Sequence, residues 1–191
     1  MAWIRLRSST LLLVAALTLA CQSFKGGDSN DDAKGDDAPT ADEIQAMMGS
    51  LTDGWEPTPL RGLKSGDSPS EAAAILPGAD KLGADGATVS IPVSGPAGVR
   101  AIKLQYASSV NGASGGLAYA SLIFDEASSN STGFHDTLRK ACDDKFGPPT
   151  RLVPSTGEVV WDTKGGWAHL QEDGKYLEPK HFVLTVTLSR R

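Results

Sequence analysis

Hydrophobic positions from residue 41 onward fall into short patterns that change period along the chain. Ile44, Met47, Met48 and Leu51 recur at i, i+3, i+4 and i+7, one face of a helix. "TADE" opens that helix as a capping box, with Thr40 as cap and Glu43 reaching back. "WEPTPL" then breaks it. Ser68, Pro69 and Glu71 supply a cap, a first-turn proline and a capping acid for a second short helix through "AAAIL", stopped by "PG". From there the period falls to two, the spacing of a strand. "ATVSIPV" alternates Val89, Ile91 and Val93. "VRAIKLQYA" sets Ile102, Leu104 and Tyr106 against Lys103 and Gln105, and "GLAYASLIFDE" reads as a longer, more buried strand. The helical period returns over residues 132–145, where Phe134, Leu138, Ala141 and Cys142 share a face and "FGPP" ends the segment. Three strands close the chain: "EVVWD", "WAHLQ" and "HFVLTVTL", the last with Phe182, Leu184, Val186 and Leu188 on one side.

This order predicts an α+β fold: antiparallel sheet with short helices on one face. Val89 and Ile91 map onto Val159 and Trp161 about seventy residues later, and "ILPG" onto "FGPP", which suggests two α-β-β-β units. In element order and in the "FGPP" helix end, residues 60–190 resemble the small helix-plus-sheet modules of outer-membrane-assembly lipoproteins and of β-lactamase inhibitory proteins. That resemblance implies binding or scaffolding.

The N-terminus has a different grammar. Arg5 and Arg7 precede "LLLVAALTLA", an apolar run of about ten residues against the roughly twenty a bilayer span needs. A basic start, a short apolar core and a small residue before a break describe an export signal. Ala20-Cys21, preceded by Leu17 to Leu19, resembles the processing site of bacterial lipoprotein precursors, with Thr18 where that motif usually carries leucine. The resemblance implies that Cys21 becomes a lipidated N-terminus bearing palmitate-type acyl chains. Gln22 after it implies the outer membrane, if the cell has one. The alternative is ordinary cleavage after "TLA", leaving Cys21 free. The expected division is a signal peptide over 1–20, a lipidated cysteine and acidic tether over 21–40, and one α+β domain over 41–191.

Charge sharpens this division. The chain carries -5 overall, yet residues 22–43 hold seven acids against two lysines, and residues 44–191 sixteen acids against fourteen bases. The tether is too polar to repay the entropy of ordering and is expected to act as a solvated spacer. The nearly neutral remainder predicts no nucleic-acid partner, since phosphate binding needs clustered Lys and Arg. Asp28, Asn30 and Asp32 match the start of a calcium loop, but Ala33 replaces its glycine and Pro39 its bidentate glutamate.

Three groups of residues could carry chemistry. "GASGG" matches G-x-S-x-G, with Ser114 as a hydrolase nucleophile, provided a strand precedes it and a helix follows. The segment that follows reads as a strand, so a hairpin loop is the simpler reading. His169 and His181 face each other across a hairpin if its turn centres on Lys175 and pairs Ala168 with Phe182. Two such histidines could bind a divalent metal or sense pH, although the four ligands of a structural zinc are not in sight. Trp161 is expected in the core, Trp167 on the outward face beside His169, and Trp55 over an edge of the core. Exposed tryptophan marks partner surfaces and stacks on sugar rings. Cys142, without a partner, is expected to be a buried small hydrophobe. The sequence therefore predicts a non-enzymatic envelope lipoprotein without metal or cofactor. It binds a membrane through Cys21, and an envelope protein or glycan through a surface that includes Trp55, Trp167, His169 and His181.

Overall fold

The computed structural model describes residues 38–107, 115–164, 166–173 and 181–189. The signal segment, Cys21, all but the last residues of the acidic tract, and Gly112 to Ser114 lie outside the described residues.

The two capping boxes form as their sequences dictate. Thr40 Oγ1 accepts from the Glu43 N–H while the Thr40 N–H donates to Glu43 Oε2 at 2.8 Å, opening α1 (Ala41–Met48). Ser68 and Glu71 repeat the exchange at α2 (Pro69–Ile75). Each box satisfies backbone donors that a helix start leaves open. Ile44, Met47 and Met48 point inward from α1 and are buried.

Seven strands follow: β1 (Thr88–Pro92), β2 (Val99–Tyr106), β3 (Leu117–Phe124), β4 (Arg151–Val153), β5 (Glu158–Thr163), β6 (Gly166–Asp173) and β7 (His181–Thr187). Between β3 and β4 lie α3 (Glu126–Asn130) and α4 (Phe134–Phe146). The strands make one antiparallel sheet in the order β1-β2-β3-β7-β6-β5-β4. The fold is α+β, with sheet predominating. Two meanders, β1 to β3 and β4 to β7, meet where β7 pairs with β3, with Leu122 opposite Leu184 and Ser121 opposite Thr185.

Two elements differ from the sequence reading. β3 stops at Phe124 because the Asp125 carboxylate accepts from the Ser128 N–H at 2.7 Å and caps α3, so the acids read as strand end begin a helix. β4 adds a fourth strand to the second meander. At three residues, it is too short for alternation to announce it.

Alternation assigns the two sheet faces. Ile102, Leu104, Ala120, Leu122, Phe124, Val159, Trp161, Ala168, Leu170, Leu184 and Val186 share one face, and all are buried in a single core. The helices pack there. Phe134 of α4 meets Phe124 edge-on at 5.3 Å, Phe146 meets Trp161 at 5.9 Å, and the Trp161 indole N–H donates to Asp143 at 2.9 Å. Tyr106 donates to the Ala79 carbonyl at 3.1 Å, and its hydroxyl pKa is pushed up to about 12 by burial and by the charges of Asp67 and Asp80.

Candidate functional site

The opposite face of the sheet carries a different set of side chains. Lys103 and Gln105 come from β2, Tyr119, Ser121 and Ile123 from β3, and Val183, Thr185 and Thr187 from β7. Trp167, His169 and Gln171 come from β6, and Glu158, Val160 and Asp162 from β5. Among the described residues, every ring contact between a helix and a strand falls on the other face. Among the described residues, this second face is thus uncovered by helix rings, with Ser121 and Val183 on it buried.

Three rings form a row across it. Trp167 lies 6.3 Å from Tyr119 on one side and 6.3 Å from His169 on the other, all tilted rather than stacked flat. The Trp167 backbone is clamped at the start of the β6–β7 ladder. Thr187 Oγ1 accepts from the Trp167 N–H at 2.9 Å and donates to the Trp167 carbonyl at 3.2 Å, so one hydroxyl does the work of a ladder pair. Beside the rings, Ser121 and Thr185 share a cross-strand hydroxyl bond of 2.8 Å. His169 Nε2 is buried 2.6 Å from Glu158 Oε1, close but not directed as a hydrogen bond. Beside Trp167 a cleft of about 650 Å³ opens where β5 ends and β6 begins, with Trp167, Thr187, Asp162 and Lys164 in its walls.

No family model, no curated protein and no solved structure matches this chain. The site must therefore be read from its own residues.

The expected site residues separate on this geometry. Trp167 and His169 are neighbours on the uncovered face, as their parity requires. His181 shares that face but is not opposite His169. The observed register sets Ala168 against Val186, His169 against Thr185 and His181 against Asp173. The hairpin is displaced by four residues from the expected pairing. An even displacement leaves each side chain on its face and changes only its neighbour. His181 instead lies 3.6 Å from Asp173. Among the described residues, no three His, Cys, Asp or Glu side chains converge as metal ligands.

Trp55 belongs to the helix side. Its ring lies 4.6 Å from Phe146, and its indole N–H donates to the Thr187 carbonyl at 3.0 Å. Gly166 makes room for it: a Cβ there would sit 3.1 Å from the indole. Cys142 is a free thiol, wholly buried, its pKa held well above the ordinary value by burial and then by the Asp143 charge. Ser114 lies outside the described residues, but its flanks are informative. β3, not a helix, follows "GASGG". A Cβ on Gly115 would meet the Ala107 carbonyl oxygen at 2.6 Å, and one on Gly116 the Gly66 carbonyl oxygen at 2.7 Å. These glycines admit close backbone approach, and the strand–turn–helix setting of a nucleophile elbow is missing.

Tyr119, Thr187 and Glu158 escaped the sequence reading. Tyr119 and Glu158 sit at outward parity, a signal that was present but masked. "LAYASLIF" is apolar enough to read as buried on both sides. The clamp by Thr187 depends on which strand lies beside β6, which no local pattern encodes.

Proposed function

We propose that this chain is a non-catalytic binding module that works at a cell envelope, with Cys21 as its lipid attachment and the acidic segment as a spacer. The observation that carries the binding role is the uncovered sheet face, where Tyr119, Trp167 and His169 line up on rigid strands. Covering one face with helices gives the sheet its core, and a second face with clustered aromatic rings suits a partner surface. Two helix pairs each feeding a meander support reading the fold as two related units, with β4 added to the second. The test is retention by an envelope fraction. Gln171→Arg, in the middle of the uncovered face, abolishes retention; Lys140→Glu, on exposed α4, leaves it intact. Equal behaviour of the two variants sinks the assignment of the face. Mass spectrometry of the mature N-terminus tests the anchor, and an unmodified Cys21 removes it.

A further inference from the structure

The cleft beside Trp167 has a composition that selects among ligands. It spans about 650 Å³, inside the roughly 300–1,000 Å³ of small-molecule sites. Its lining is mainly polar and includes Ser65 before α2, Asp162 and Lys164 at the end of β5, Trp167 at the start of β6, and Thr187 and Ser189 at the end of β7.

Three properties of these residues bear on what fits. First, Trp167 stands in the wall with its backbone held by the Thr187 hydroxyl and its ring between those of Tyr119 and His169, which lowers the ordering cost when a ligand docks. Second, the polar groups are mixed in kind: hydroxyls that donate and accept, a carboxylate that accepts, an ammonium that donates. Third, Asp162 and Lys164 cancel in charge, and both are exposed. A phosphate or polyanion would meet one repelling charge for each attracting one, and a purely apolar group would leave the polar lining unpaired. A ligand with a flat C–H face and a rim of neutral hydroxyls satisfies all three.

We propose that this cleft is a saccharide subsite, with Trp167 as the stacking platform and Asp162 and Lys164 as hydrogen-bonding partners of ring hydroxyls. Its preferred ligand is a neutral β-1,4-linked, gluco-configured oligosaccharide, whose equatorial hydroxyls and equatorial glycosidic bonds keep the chain flat and leave both ring faces open for stacking. The proposal rests on the binding role assigned to the uncovered face and names a ligand class for one end of it.

The test is calorimetric titration of the full chain with cellotetraose and chitotetraose, with maltotetraose and inorganic phosphate alongside. At least one β-linked probe binds, and more tightly than the other two. Trp167→Ala weakens that binding about tenfold or more, the loss of one stacked ring, while Trp167→Phe retains part of it. Asp162→Ala weakens it several-fold, and Lys140→Ala on α4 leaves it unchanged. Unfolding curves of the variants confirm that the comparison is between folded proteins. No heat with either β-linked probe overturns the proposal. So does equal affinity in Trp167→Ala, or a phosphate affinity above that of the sugars. If the sugars fail while Gln171→Arg still abolishes envelope retention, the saccharide assignment falls and the binding face stands.

Discussion

One sheet presents two faces made from the same strands, and they are stabilised by different physics. On the helix side, alternate residues are large, apolar and fully buried, and α4 fits against them through Phe134, Phe146 and Leu138. On the other side, the intervening residues mix hydroxyls, rings and charges with the aliphatic Ile123, Val160 and Val183. Ser121, only 5% exposed at the sheet centre, is satisfied by Thr185 rather than by apolar packing. The difference teaches where each kind of change should be felt. Burial energy is concentrated on one side, leaving the other free to vary its chemistry without unfolding the chain.

The sharpest test of that contrast exchanges tryptophans. Trp161→Ala empties a fully buried site and removes the indole's hydrogen bond to Asp143, for an expected loss of about 3–5 kcal/mol in urea unfolding. Trp167→Ala, which removes an indole from the uncovered face, should cost less than about 1 kcal/mol. Similar losses at both positions would break the comparison. Gly166→Ala comes next. A methyl there pushes into the Trp55 indole and the Thr187 hydroxyl at a φ of 150°, and overpacking of this kind costs about 1–3 kcal/mol.

Glu56 tests the corner beside Trp55. Burial raises its pKa, but hydrogen bonds from Ser189 and its own backbone, with the Lys64 charge, outweigh burial and leave the carboxyl below its ordinary 4.5. The Ser189 N–H donates to it at 2.6 Å. A depressed carboxyl contributes stability that is present above the unfolded value and lost as pH falls through the folded one. Glu56→Gln should therefore cost about 1.5 kcal/mol at neutral pH and shrink the stability lost below pH 4.5, read from thermal unfolding across acid pH. The smallest effect belongs to the hydroxyl pair. Thr185→Val leaves Ser121 unpartnered within the sheet and should cost about 0.5–1 kcal/mol, with Ser121→Ala in the same background recovering part of it.

Much of the helix side was legible in the sequence. Both capping boxes, the apolar parity of β1, β2, β5 and β7, and the face of α4 follow from local rules that need no knowledge of neighbours. The uncovered face was legible by subtraction, since parity placed Trp167 and His169 there. What remained hidden was lateral. The partner of β7, the four-residue offset of the β6–β7 pairing and the Thr187 clamp all depend on which strands lie side by side. An even offset preserves every burial pattern, so periodicity cannot detect it. Trp55 was read correctly as a cover for the core. Its reason, the missing side chain of Gly166, appears only once the fold brings them together.

The β3–β7 seam also has a bearing on how this chain comes into being. Leu122 and Leu184 lie far apart in sequence, and the strand that joins the two meanders is made after the other six described strands of the sheet. Until β7 emerges, the first meander must wait with the backbone of β3 unmatched along one side. Such an edge invites pairing with another chain. Synthesis from the N-terminus thus holds an adhesive half-sheet open for as long as the remaining strands take to arrive. The final segment, His181–Thr187, is the latch that ends this vulnerable interval.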